Sequence, residues 1–207
     1  HPDEIDFGSL PEQFVLKCFH DSGWLSICTD KSKFNVEGAK VRLCKSLKRN
    51  YFMMGREWPY KDVKRRILAE KLLIDENGDE IKDYKFFCFD GYVDCVMVCI
   101  DRQIGSPKFY FFDSNWQLKR YNKRGKEAPV DFTLPKPKNI DKMFAIASTL
   151  SKGHPFVRVD LYNVNGNIYF GELTFFPSSG FDNKILHESD VYFGNLIKLP
   201  VYKSEWF

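Results

Sequence analysis

Two stretches of the chain alternate charged with apolar residues in a way that could set charges side by side. In Val157-Arg158-Val159-Asp160-Leu161 the alternation sends Val157, Val159 and Leu161 to one face and Arg158 and Asp160 to the other. In Ile168–Thr174, Glu172 and Thr174 share a face. Asn165-Gly166 between the stretches predicts a hairpin, and its register decides the chemistry. A two-residue loop pairs Val159 with Glu172 and buries the glutamate on the face opposite to Asp160. A three-residue loop, Asn165-Gly166-Asn167, pairs Asp160 with Glu172 and Arg158 with Thr174. Only the second register makes a site of two neighbouring carboxylates, suited to Mg²⁺ carrying phosphates. The competing reading is a solvated polar face with an Arg–Asp contact.

Lys17 is a second candidate. It stands inside the apolar run Phe14-Val15-Leu16-Lys17-Cys18, where an ammonium is costly unless it finds a partner or reaches solvent. The small-residue loop His20-Asp21-Ser22-Gly23 follows, and such a loop can turn backbone N–H groups towards a phosphate. A plain hairpin with a snorkelling lysine explains the same residues. Glu70-Lys71-Leu72-Leu73 and Asp83-Tyr84-Lys85 are unremarkable alone, the latter reading as ordinary strand-edge charge. The basic stretch Lys119-Arg120-Tyr121-Asn122-Lys123-Arg124-Gly125-Lys126 suits a polyanion or is merely solvated. His20, His154 and His187 lack zinc-ligand spacing, and neither a Walker A loop nor Gly-x-Ser-x-Gly nor Gly-x-Gly-x-x-Gly occurs.

These residues need strands to hold them. Phe14–His20 and Trp24–Thr29 read as one hairpin, and Gly38–Arg49 has helical spacing. Residues 66–74 are ambiguous by period and end at the turn Glu76-Asn77-Gly78-Asp79. Tyr84–Phe89 and Tyr92–Asp101 flank Asp90-Gly91, a type I′ signal, and Phe109–Phe112 is a third strand. Residues 119–137 read as a long surface loop. Ile140–Leu150 is an amphipathic helix with Asn139 or Asp141 near its start. Glu188–Leu199 is a helix or an irregular cover. Antiparallel hairpins with few helices make the class α+β. The 207 residues, 16% of them aromatic, suffice for one domain or two small lobes with a sheet-dominated core. A net charge of +3 is too balanced for nucleic-acid binding by bulk electrostatics. The six cysteines lie mostly in apolar runs and read as buried free thiols of a reducing compartment. No apolar run approaches a membrane span and the N-terminal stretch does not read as a signal peptide. The expected location is the cytoplasm, or a peripheral position at the inner membrane face.

The order of the pieces resembles the ATP-grasp fold of carboxylate–amine ligases. More closely, it resembles the TupA-like ATP-grasp family of capsule and cell-wall polysaccharide clusters. The stretches that carry the resemblance are FVLKCFHDSG, RRILAEKLL, DYKFFCFDGYVDCVMVCIDR and FVRVDLYNVNGNIYFGELTFFPSSGF. The resemblance implies two lobes around a nucleotide cleft, residues 1–73 carrying the phosphate lid and residues 74–207 the Mg²⁺ site. Lys17 would hold the α- and β-phosphates of ATP, with Ser22 and Gly23 in the lid. Glu70, Lys71, Leu72 and Leu73 would bind adenine, and Asp83 the ribose. Asp160 and Glu172 would bind Mg²⁺, with Thr174 standing where many such ligases have Asn. Arg158 would steady the transferred phosphoryl group, and Arg102 and Lys108 would be further contacts to substrate or phosphate. The family also has an N-terminal segment with another phosphate-binding lysine, so the chain is expected to be a fragment, one part of a larger multidomain capsule enzyme, or an incomplete enzyme.

The implied reaction joins a uronic-acid carboxylate, on a sugar nucleotide or polysaccharide, to a small amine through an acyl phosphate. Two other classes fit the same residues: a phosphotransferase acting on a sugar hydroxyl, and a non-catalytic polysaccharide-binding module. On the ligase reading Asp160→Asn removes activity and leaves folding intact or improved, because two adjacent carboxylates repel without metal.

Overall fold

The computed structural model describes residues 1–76, 81–101 and 105–200. The turn expected at Asn77-Gly78-Asp79 and the candidate Arg102 lie outside them. The chain divides into two units, His1–Leu73 and Ile74–Phe207.

The first unit is built on a three-stranded antiparallel sheet. Strands β1 (Phe14–Cys18) and β2 (Leu25–Cys28) form the hairpin, and β3 (Ile67–Lys71) pairs with the other edge of β1. Alternation on β1 buries Phe14, Leu16 and Cys18 and leaves Val15 and Lys17 half-buried. Helix α1 (Val36–Lys48) covers the apolar face with Leu43. It starts at Asn35, whose side-chain oxygen accepts from the Gly38 N–H at 2.7 Å. The helix therefore begins two residues before its sequence signal. Its buried positions are Ala39, Leu43 and Ser46, while Val41 is exposed. A short helix, α2 (Phe52–Gly55), precedes β3.

The second unit has a six-stranded antiparallel sheet in the order β7-β6-β5-β4-β8-β9. These are β4 (Asp83–Phe89), β5 (Tyr92–Ile100), β6 (Lys108–Phe112), β7 (Leu118–Lys119), β8 (Val157–Val164) and β9 (Asn167–Thr174). Both faces of its centre are covered, so every residue of β4 is buried. On one face Tyr84, Phe86 and Cys88 pack with Met143 and Ala147 of α4 (Ile140–Ser151). On the other, Phe87, Phe89 and Phe111 pack around Phe193 of α5 (His187–Leu196). Each large apolar side chain buried in these layers contributes about 1.5–3 kcal/mol. The six cysteines are free thiols, five of them buried. Among the described residues no helix is long and apolar enough to cross a membrane.

Two sequence expectations change. The stretch 119–126 is not an open loop: β7 ends in it and a one-turn helix, α3 (Lys123–Glu127), follows, capped by the Asn122 side chain on the Gly125 N–H at 2.8 Å. The hairpin at Asn165-Gly166 combines both expected registers. Val164 pairs with Asn167, so the loop has two residues, at φ 53° and 79°. A β-bulge at Gly171 then shifts the pairing, so that Leu161 faces Phe170 but Asp160 faces Glu172 and Arg158 faces Thr174. A Cβ at Gly171 would lie 2.9 Å from the Asp160 carbonyl oxygen, so a bulge this tight needs glycine.

A charged row across the second sheet

The registers of five strand pairs place one side chain from each of the six strands in a single row. Glu172 of β9 faces Asp160 of β8, which faces Lys85 of β4, which faces Met97 of β5, which faces Phe111 of β6. Phe111 in turn faces Lys119 of β7. Arg158 and Thr174 stand beside this row, and Asp83 lies two residues from Lys85 on the same face. One end of the row is thus a compact charge cluster.

Arg158 is its centre. Its Nε donates to Asp160 Oδ1 at 2.7 Å, and its Nη2 lies 2.8 Å from Asp160 Oδ2, 3.2 Å from Glu172 Oε1 and 3.0 Å from the Thr174 hydroxyl. The Thr174 hydroxyl donates to Glu172 at 3.1 Å. From the other side the Lys85 ammonium binds Asp160 Oδ2, and it reaches Asp83 Oδ2 at 2.6 Å. Burial alone would lower the Arg158 pKa. The charge and hydrogen bonds of Asp160, with the charges of Glu172 and Asp83, outweigh it and hold the guanidinium above its ordinary value. Arg158 therefore stays cationic at any working pH.

The cluster revises two expectations. Asp83 does not present an open carboxylate to a ribose: its side chain is only 10% exposed and holds Lys85. Asp160 does not repel an unneutralised neighbour. It is 2% exposed and bonded by two cations, so its removal leaves Lys85 only Asp83 and Arg158 only Glu172 as counter-charges and destabilises the fold.

The donors suit Mg²⁺ in kind. That ion takes one or two carboxylates, keeps several waters and shares phosphate oxygens. Glu172 is about half exposed and has the Thr174 hydroxyl beside it. Asp160 already spends both oxygens on Arg158 and Lys85. Among the described residues no group of three or more His, Cys, Asp or Glu could hold a metal, so phosphates and water would have to complete the shell.

In the first unit, Lys17 meets Glu70 at 2.8 Å across the β1–β3 pair, with the lysine side chain 34% exposed. Lys71 ends β3, and the Leu72 N–H donates to the Gln13 carbonyl at 3.2 Å, which carries the chain past β1. Leu73 closes the unit. The loop after β1 hangs on Asp21. Its buried carboxylate takes the Ser46 hydroxyl at 2.6 Å and Arg49 at 3.0 Å, and accepts from the Ser22 N–H at 2.9 Å. Gly23 carries the positive φ of the turn, 84°. Lys108, at the start of β6, pairs with Asp101 at 2.5 Å.

A cavity of about 330 Å³ adjoins the charge cluster, and Lys85, Arg158, Phe109, Asn122, Asp182 and Lys184 are among the residues that line it. The sequence reading took Lys85 for ordinary strand-edge charge and, Arg158 apart, did not gather this lining. The signal for Lys85 was available, since Tyr84-Lys85-Phe86-Phe87 is as apolar a setting as that of Lys17. The lining had none, because it joins residues from distant segments. Its 177–180 turn carries two non-glycine residues with left-handed backbone, Ser178 (φ 51°) and Ser179 (φ 60°), a strain that tends to collect at functional sites.

No curated protein and no solved structure matches the chain. The family model TupA-like ATPgrasp matches residues 1–198, a span that includes both the Lys17 strand and the whole of the charged hairpin. With nearly the full chain matched, the protein belongs to the TupA-like ATP-grasp family, and ATP-dependent chemistry of the ligase type follows from that membership.

Proposed function

We propose that the protein is an ATP-dependent carboxylate–amine ligase acting on a uronic-acid carboxylate in capsular or cell-wall polysaccharide synthesis. The observation that carries this reading is the cross-strand cluster of Arg158, Asp160, Glu172 and Thr174, whose Arg158 lines a cavity. A carboxylate is a poor acyl donor. Its oxygen would take the γ-phosphoryl group of ATP, giving an acyl phosphate and ADP. An amine nitrogen would then attack the acyl carbon, the C–O bond to phosphate would break, and amide and inorganic phosphate would leave as the amine loses its proton. Both steps gather negative charge, which a permanently cationic Arg158 is placed to offset.

In this scheme the second unit contributes Asp160, Glu172 and Thr174 as the Mg²⁺ ligands and Lys85 as the cation that keeps Asp160 in place. The ion would neutralise phosphate oxygens during transfer. The first unit contributes Lys17 to the α- and β-phosphates, Ser22 and Gly23 to the lid, and Glu70, Lys71, Leu72 and Leu73 to the adenine. Glu70 would hold Lys17 extended until phosphates replace it. Lys108 is a weaker phosphate candidate, because Asp101 already holds it.

The test uses the full-length protein with Mg·ATP, a uronic acid and a set of small amines, following ADP release and identifying the product by mass. An amide is expected. A phosphate ester would replace the ligase by a phosphotransferase. The absence of any thermal shift with Mg·ATP would leave only a binding module.

A further inference from the structure

We propose that the first unit docks on an anionic lipid surface through the segment from Arg49 to Arg66, independently of the ligase reading. The segment joins α1 to β3 and gives no side chain to the buried core of the unit. It holds α2 and a single 3₁₀ turn, Trp58–Tyr60, and neither has a buried residue. Ring contacts of Tyr51 with Tyr60 at 4.6 Å and of Phe52 with Trp58 at 6.0 Å hold the two turns together. Met53, Met54 and Trp58 are 55%, 67% and 63% exposed. Three large apolar side chains this open on adjoining turns make a patch, unlike the single exposed apolar residues that any surface carries.

The same segment is basic. Arg49, Arg56, Lys61, Lys64, Arg65 and Arg66 stand against Glu57 and Asp62, so it alone is more positive than the whole chain, whose net charge is +3. Two of these cations anchor the segment to the rest of the unit. Arg49 binds the Asp21 carboxylate at 3.0 Å and lies over the Trp24 ring, and Arg65 donates to the Leu47 carbonyl at 2.9 Å. Arg56, Lys61, Lys64 and Arg66 are exposed and form no ion pair among the described residues. Arg56 lies 5.4 Å from the Phe52 ring and Lys61 4.2 Å from the Trp58 ring. Unpaired cations therefore border the apolar patch. A membrane interface matches that arrangement: acyl chains take the apolar tips, headgroups take the indole, and lipid phosphates meet the cations.

The side chains themselves favour lipid over a nucleic acid. A single-stranded nucleic acid also uses cations and rings, but it needs open ring faces on which bases stack. Here Arg56 and Lys61 lie against the Phe52 and Trp58 rings. The most exposed of the three apolar tips, Met54, has no planar face to offer. An unbranched, flexible thioether suits disordered hydrocarbon chains instead.

The experiment follows sedimentation of the full-length protein with two kinds of vesicle, at low and high salt. One is phosphatidylcholine alone, the other phosphatidylcholine and phosphatidylglycerol in equal parts. The anionic vesicles should bind at least about 10²-fold more tightly, and high salt should remove most of that difference. K61Q/K64Q/R66Q should lose about 10²-fold in affinity, since each Lys or Arg beside an anionic surface contributes roughly fivefold, and K61E/K64E/R66E should lose more. These side chains are exposed and unpaired, so the melting temperature should stay near that of the parent. Lipids brominated along their acyl chains should quench part of the tryptophan fluorescence, and W58F should abolish that part. Equal affinity for the two vesicles, salt-independent binding, full binding by K61Q/K64Q/R66Q, or quenching that survives in W58F would each overturn the proposal. Tighter binding of a single-stranded oligonucleotide than of the anionic vesicles would give the surface to a nucleic acid and overturn it too. The salt and quenching measurements on the parent chain decide the matter even where a variant fails to fold.

Discussion

Lys17 and Lys85 each interrupt an apolar strand, and the two units treat them differently. In the first unit the sheet has three strands and one face open enough for Lys17 to keep a third of its side chain in water while it meets Glu70. In the second, β4 lies in the middle of six strands with helices over both faces, so Lys85 is almost fully enclosed and must be neutralised where it stands. The difference shows that an interior charge takes its energetic meaning from the number of layers around it. The exposed pair adds little, about 1 kcal/mol at most, and can be surrendered to a ligand. The enclosed one is part of what keeps the sheet folded.

The largest expected effect comes from Asp160→Asn. It should lower ADP release by about 10²–10³-fold, as losses of a preorganised electrostatic contact do. It should also destabilise the second unit by about 3 kcal/mol in urea denaturation, because Lys85 and Arg158 lose their shared counter-charge. A variant as stable as the parent would erase the contrast between the two lysines.

Alkaline pH should separate the units next. Burial pushes the Cys88 thiol and the Tyr84 phenol up to about 12, from ordinary values of 9.0 and 10.0. Both groups are neutral when protonated, so the folded unit retains its protons to higher pH than the unfolded chain. Their stabilising effect is complete below about pH 9 and is lost as pH rises towards 12, a fall of about 3–4 kcal/mol for each group across that window. The first unit has one resolved counterpart, Cys18, raised chiefly by burial. Hydrogen exchange followed peptide by peptide should show the second unit losing protection as pH climbs, and equal losses in both units would contradict this account.

Gly171→Ala should cost about 1–3 kcal/mol, the usual price of overpacking, since its Cβ would press on the Asp160 carbonyl oxygen. Nucleotide-dependent activity should fall further than stability, because the bulge sets Glu172 opposite Asp160. Unchanged activity would show that the register is held elsewhere.

The smallest effect on folding is expected at Lys17. Lys17→Met should alter stability by less than about 1 kcal/mol while weakening Mg·ATP binding in calorimetry. A large loss of stability would place Lys17 with Lys85 rather than against it.

Much of this was legible from local pattern. Asn165-Gly166 and Asp90-Gly91 mark hairpins because their turns need left-handed backbone, and the period-2 alternation placed Arg158 with Asp160 on one face. The α+β class and the family followed from the order of such pieces. The bulge was not legible: Gly171 looks like any strand glycine, and the turn chemistry alone left two registers open. Nor was the burial of Lys85, because the number of layers over β4 depends on α4 and α5, which lie far along the chain. The short helix after Asn122 was hidden because Gly125 interrupts a run of like charges that repel one another, and what fixes it is a cap and a guanidinium rather than a pattern.

That guanidinium belongs to Arg120. It lies within 2.8–3.2 Å of the carbonyl oxygens of Gly125, Lys126, Ala128 and Pro129, and so shapes the segment through main-chain atoms alone. A fold held this way is indifferent to which side chains it displays. The side chains at positions 123, 124 and 126 can therefore change without disturbing the scaffold beneath, whereas Arg120 itself has no such latitude.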